Sequence, residues 1–173
     1  MAEGRRVSDL PSDALVLLIG PAGSGKSTFA AQHFDPHEVL STDAYREMIS
    51  DDAADQSATA DAVKVLDAIV WARLRRGLLS VVDATNLTVR TRRSLSRLAA
   101  RASRPCVAIV FDVTLEHCLA QNGTRRDRQV PEEVVRRHHR ELQVALEQLP
   151  NEGYASILVL RDAGIDPGLT RYR

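Results

Sequence analysis

The residues with the plainest chemical meaning stand near the start of the chain, where Gly20-Pro21-Ala22-Gly23-Ser24-Gly25-Lys26-Ser27-Thr28 matches G-x-x-x-x-G-K-[ST] at every fixed position. Glycines there let the backbone curl, so that the N–H groups of Gly23, Ser24, Gly25 and the residues after them can converge on one phosphate. A helix opening at Lys26 would add the positive end of its dipole. Lys26 is placed to neutralise outer phosphates, Ser27 to hold Mg²⁺, and Thr28 to line the same turn. ATP and Mg²⁺ are therefore the ligands expected at residues 23–28. A glycine turn with a chance lysine is the plain alternative, and it leaves five fixed features to coincidence.

Two carboxylates end apolar runs. In Val81-Val82-Asp83 the aspartate stands where a phosphate-loop protein supports its Mg²⁺ from a neighbouring strand, here acting through water. Asp83-Ala84-Thr85-Asn86 is also good turn chemistry, so a capping role stays open. In Ser41-Thr42-Asp43 the aspartate ends a second run, and strand ends in a parallel sheet open on one edge, which would face Asp43 towards the γ-phosphate. A carboxylate there can accept the proton of an attacking hydroxyl, and it can also cap a helix starting at Ala44. Arg46, one helical turn on, either contacts a phosphate of the acceptor or stands in solvent.

Thr124-Arg125-Arg126-Asp127-Arg128-Gln129-Val130, bounded by Gly123 and Pro131, reads as a lid over about 123–131. On closing, its arginines would meet the migrating phosphoryl and exclude water. His138 and His139 are adjacent on a helix and cannot face one site together, so they read as packing and solvated positions. His33, His37 and His117 carry the same plain reading.

These groups need elements to place them. Apolar runs of strand character at 15–19, 38–40, 78–83, 106–111 and 154–160 alternate with helical stretches at 26–34, 43–49, 57–76, 88–102, 114–122 and 131–149. That alternation predicts an α/β fold around a parallel sheet covered on both faces. In the last helix Val134, Val135, His138, Leu142, Ala145, Leu146 and Leu149 recur at helical spacing, with Pro131 suited to its first turn. Residues 1–12 and 162–173 read as loose ends, and 1–173 as one domain.

The 173 residues, 44% hydrophobic and 27% charged, have the composition of a globular domain whose core needs no disulfide or structural metal. Cys106 and Cys118 are too few for a disulfide framework, which points to a reducing cytoplasmic setting. The apolar run at 14–19 is far short of a membrane span, and 1–11 lacks the apolar core of a signal peptide, so no membrane role is expected. Basic and acidic residues balance at 23 each, but not locally. From Trp71 to Arg104 nine arginines face one acid (9 − 1 = +8), whereas Asp43 to Asp67 holds seven acids against Arg46 and Lys64 (2 − 7 = −5). Arginine outnumbers lysine 21 to 2 in an alanine-rich chain, as a GC-rich genome alone would produce.

Together these residues resemble the kinase domain of bacterial polynucleotide kinase-phosphatase RNA-repair proteins, within the broader P-loop kinases. The resemblance covers about 15–160. It rests on Gly20 to Ala30, Ser41-Thr42-Asp43 with Arg46, Ser50-Asp51-Asp52 followed by Asp55-Gln56, Val81 to Asn86, and Asp127-Arg128-Gln129-Val130. It implies a five-stranded parallel sheet of order 2-3-1-4-5 with an arginine-bearing lid. By the same resemblance Asp43 is the general base, Arg46 engages the substrate, and Arg125 and Arg128 contact the phosphates of ATP. The expected activity is transfer of the γ-phosphate to the 5′-hydroxyl end of RNA or DNA, with phosphatase or ligase modules as possible partners. A kinase of a small hydroxyl compound such as a nucleoside, sugar or antibiotic is the alternative, and a nucleotide-dependent binding module the third class.

Overall fold

The computed structural model describes residues 10–124, 129–161 and, as backbone, 170–171. Five strands run parallel: β1 (Leu15–Ile19), β2 (Val39–Ser41), β3 (Ser80–Asp83), β4 (Cys106–Asp112) and β5 (Ser156–Arg161). Their order is β2-β3-β1-β4-β5, as the resemblance implies. Beyond β5 a two-residue strand, β6 (Thr170–Arg171), pairs antiparallel with Leu158 and Val159. Part of the stretch read as a loose end thus supplies ladder partners to the outer edge of β5, and two residues are too few for a strand period to show in sequence. At the other end Leu10 packs on the core and the Ala14 N–H donates to the Pro11 carbonyl at 3.1 Å, so 10–12 are tied down. Residues 1–9 and 162–169 lie outside the described residues.

The helices are α1 (Lys26–His33), α2 (Thr42–Ser50), α3 (Thr59–Leu74), α4 (Val89–Arg101), α5 (Leu115–Gly123) and α6 (Glu132–Gln148). Hydroxyl caps start three of them: Ser41 accepts from the Ala44 N–H, Thr88 from Thr91 and Thr114 from His117. The helix expected from residue 57 opens instead as a 3-10 turn, Gln56–Ala58, because Asp55 accepts the Ser57 N–H at 2.8 Å and bends the entry.

Alternation along β1 builds the two sides of the core. Leu15, Leu17 and Ile19 join Leu66 and Val70 of α3, Leu95 and Ala99 of α4 and Leu142 of α6. Val16 and Leu18 join Phe29 and Ala30 of α1 on the opposite face. Right-handed crossovers explain this division, since β1 to β2 steps one way across the sheet and the later connections step back. A third cluster, Ala22, Val113, Cys118 and Val135, ties the glycine-rich loop to α5 and α6. Both cysteines are buried and free. Among the described residues no helix is long and apolar enough to cross a membrane.

Within this core lies a charge the sequence does not advertise. Arg92, on the inner face of α4, is fully buried and forms a two-pronged pair with Glu152, Nε to Oε2 at 2.8 Å and Nη2 to Oε1 at 2.6 Å. Its remaining donors meet the carbonyls of Asn86 and Leu87 and the side chain of Gln148. One guanidinium thus joins the turn after β3 to the far end of α6.

Candidate nucleotide and acceptor site

β1 ends at Ile19, and Gly20 to Gly25 curl over its end before α1 starts. At Gly23 φ is +80°, and a Cβ there would stand 2.2 Å from the carbonyl oxygen of Cys118, so α5 fixes how closely the loop can lie. Gly25, at φ +91°, turns the chain into α1 with no side chain capping the helix and no acid in its first turn. The first N–H groups of α1 therefore remain available to an anion. The Lys26 ammonium is buried and donates to the carbonyls of Gly20 at 2.9 Å and Pro21 at 2.6 Å and to Ser24 Oγ at 3.2 Å. Ser27 and Thr28 are exposed on the first turn of α1.

Asp83 closes β3 in register with Leu18 of β1 and Ser41 of β2, buried beside the base of the loop. The turn chemistry after it falls to Asn86. That residue holds φ +48° and donates its amide to the Leu18 carbonyl at 2.8 Å, while the Thr85 carbonyl accepts the Gly20 N–H at 3.1 Å. The β3–α4 turn thus clasps the start of the loop, with the Asp83 carboxylate at its base and the Ser27 hydroxyl on the first turn of α1, oxygen donors of the type a hard divalent cation takes.

Asp43 lies one residue into α2, at the same edge of the sheet, with Ser41 taking the cap. Its carboxylate is paired with Arg46 and remains 44% exposed, whereas the arginine is only 12% exposed. Arg46 also donates from Nε to the Ala53 carbonyl at 2.9 Å and from Nη1 to Thr59 Oγ1 at 3.5 Å. Its guanidinium is fastened between α2 and the start of α3, a fixing role invisible in the sequence. Arg125, Arg126, Asp127 and Arg128 lie outside the described residues. The residues flanking them are joined: Asn122 donates to the Val130 carbonyl at 2.7 Å and accepts its N–H at 3.1 Å, and Gln129 donates to the Gly123 carbonyl.

His138 is a neighbour of this site that sequence reasoning set aside. Burial holds its pKa below the ordinary histidine value; Glu141 opposes that shift, and Arg137 and Lys26 reinforce it. Its Nδ1 is buried with no hydrogen-bond partner among the described residues. The signal was present, because 138 falls on the apolar face of α6 with Val135 and Leu142. His139 has its Nε2 3.3 Å from the Val113 carbonyl, in line with a packing role.

The family model described as AAA domain (AAA_33) matches residues 15–149, and the chain belongs to that family. No curated protein matches it. Among solved structures it resembles a chain of the Pnkp1/Rnl/Hen1 RNA repair complex, with 26% identity, a TM-score of 0.64, and coverage of 78% of this chain and 45% of that one. It shares its fold with AvrRxo1-ORF1:-ORF2 with ATP, at 18% identity, TM-score 0.63 and coverage of 95% and 58%. It does so too with the Mycobacterium tuberculosis APS kinase CysC in complex with AMPPNP and APS, at 18% identity, TM-score 0.52 and coverage of 80% and 99%. The chain spans about half the length of the first two. Fold, phosphate loop and family together make this a P-loop kinase-like, nucleotide-binding domain.

Proposed function

We propose that the chain is an ATP-dependent kinase that phosphorylates the 5′-hydroxyl end of a polynucleotide, RNA or DNA. The observation that carries this reading is the half-exposed Asp43 carboxylate, fixed by Arg46 at the sheet edge that also holds the phosphate loop. A nucleotide switch has no need of such a group. The likeness to a chain of an RNA repair complex supports a polynucleotide as the acceptor and fits phosphatase or ligase modules as partners.

In this reading the acceptor oxygen attacks the γ-phosphorus, its proton passes to Asp43, and the bond to the ADP oxygen breaks. The loop N–H groups of residues 23–28 hold the β-phosphate, and Lys26 exchanges its loop carbonyls for phosphate oxygens. Ser27 and Asp83 would hold Mg²⁺, which when bound offsets charge on the outer phosphates. Arg46 keeps Asp43 aimed and is the acceptor-side cation, and Arg125 and Arg128 contact the ATP phosphates. Kinases of small hydroxyl compounds share the fold, as the likeness to APS kinase illustrates, and are the second reading.

The test is transfer of radiolabel from γ-labelled ATP to a 5′-hydroxyl oligonucleotide beside a panel of nucleosides. Transfer to the oligonucleotide is expected, with Lys26→Ala losing both ATP binding and transfer and Asp43→Asn losing transfer alone. Turnover confined to a nucleoside overturns the polynucleotide reading, and full activity in Asp43→Asn removes it as the base.

A further inference from the structure

The arginine excess between Trp71 and Arg104 sorts itself in the structure. Arg92 turns inward, whereas Arg90, Arg93, Arg97 and Arg101 are all exposed on α4. At about 100° per residue these four fall within roughly an 80° band, opposite the buried Leu95 and Ala99. They climb the helix in steps of about 4.5 to 6 Å over a total rise of roughly 16 Å. Steps of that size are comparable to the spacing of phosphates along an extended single strand.

Among the described residues the stripe has no counter-charge of its own: Glu152, which lines a cavity with Arg93 and Arg97, is already paired with Arg92. No acid occurs in α4, and among the described residues none pairs with these four arginines. Exposed cations elsewhere do find partners: Arg136 with Glu132, Arg137 with Glu141, Lys64 with Asp61, Arg161 with Asp112. At its far end Arg101 lies over the Trp71 ring, 4.7 Å from the centroid, and Arg75 adds a second guanidinium at 5.8 Å. Asp67, one turn before Trp71 on α3, forms no ion pair among the described residues, and burial pushes its pKa up.

The stripe also points the right way. α4 begins at Val89, capped by Thr88 shortly after Asp83 and Asn86, so Arg90 stands at the sheet edge that holds the phosphate loop and Asp43. On the other flank of Asp43, the turn between α2 and α3 carries exposed Asp51 and Asp52 and the half-buried Asp55. A polyanion leaving Asp43 is repelled on that side and attracted along α4.

We propose that the outer face of α4, from Arg90 to Arg101, is a track for the phosphodiester backbone of a single-stranded acceptor whose 5′ end lies at Asp43. This rests on the polynucleotide reading above. Four exposed guanidiniums read phosphates and no base edges, so the track is indifferent to sequence and sensitive to salt.

The test compares wild type with Arg90→Gln/Arg93→Gln/Arg97→Gln, and with Arg136→Gln/Arg137→Gln as a control for charge removed elsewhere. Fluorescent 5′-hydroxyl oligonucleotides of increasing length are titrated between about 50 and 200 mM salt, where contacts to phosphate show as a log–log slope near −0.7 each for a single strand. The triple variant is expected to lose about 2 from that slope and at least roughly tenfold in affinity at low salt, with the control near wild type. Its kcat/KM on a 3′-phosphorylated nucleoside should stay unchanged, and the gain of wild type with acceptor length should flatten. An unchanged slope in the triple variant, or an equal loss in the control, overturns the track. Competition by polyglutamate as effective per charge as by oligonucleotide gives the face to an acidic protein and overturns it too. Failure of the kinase reading looks different: wild type would then transfer no phosphate to any oligonucleotide while binding it with the arginine-dependent slope.

Discussion

Replacing Glu152 by glutamine should expose how much of the fold hangs on one buried cation. Arg92 has no solvent contact and Glu152 is 6% exposed, so neither charge can turn to water when its partner is lost. Breaking such a pair from one side costs about 3 to 5 kcal/mol, most of it the penalty of a stranded charge. The introduced amide still offers an oxygen to the guanidinium, and the carbonyls of Asn86 and Leu87 remain as acceptors, so Glu152→Gln should sit near the lower figure. At about 2 to 4 °C per kcal/mol for a chain of this size, the melting temperature should fall by roughly 6 to 12 °C. Arg92→Met strands the carboxylate instead, and the double variant removes both charges. The double should therefore be at least about 1 kcal/mol more stable than the sum of the singles predicts. The assay is reversible urea unfolding of all four proteins. Additivity within about 0.5 kcal/mol, or a loss below about 1 kcal/mol in Glu152→Gln, would show that the pair is not coupled as its geometry requires.

The remaining predictions concern the site. Gly23→Ala and Gly25→Ala both place a side chain at positive φ, which costs about 1 to 2 kcal/mol, but only at 23 does the new Cβ run into backbone, the Cys118 carbonyl, while at 25 nothing lies within 4 Å. Gly23→Ala should be the less stable by melting temperature and the weaker ATP binder by calorimetry, and the reverse order would refute the close approach of α5. Arg46→Lys keeps the charge but cannot serve Asp43, the Ala53 carbonyl and Thr59 at once, so transfer should fall at least about tenfold with ATP affinity unchanged. Wild-type kcat would mean that Asp43 needs no such fixing.

The elements that could be read from sequence are those whose pattern is local. The phosphate loop declares itself by glycine spacing, the central strands by continuous apolar runs, and α6 by its period. Arg92 does not, because in Arg90-Thr91-Arg92-Arg93 nothing distinguishes the inward arginine until Glu152, 60 residues away, is brought against it. The fixing of Arg46 is hidden for the same reason: the sequence shows a cation one turn after Asp43, but its tie to the Ala53 carbonyl depends on how the α2–α3 turn folds back. The packing position of His138 is legible, since it recurs with Val135 and Leu142 on one face of α6 while His139 points about 100° away, but its closeness to Lys26 is not, because 112 residues separate them in the chain.

Net charge is a poor guide to what this molecule can hold, and the arrangement of its helices says why. Charges more than about 8 to 10 Å apart at physiological salt scarcely feel one another, so 23 cations and 23 anions cancel only where they are neighbours. On α6 they are neighbours, glutamate and arginine four residues apart on one helix, and that face presents little field. On α4 the sequence supplies arginines without acids, and folding withdraws only Arg92, into a pair with Glu152, leaving the other four exposed. The acids that balance them in the composition include Asp51, Asp52 and Asp55, on the turn after α2, which follows β2. A chain of overall charge zero can therefore offer a polyanion one strongly attractive face and one repulsive one, and direct it between them.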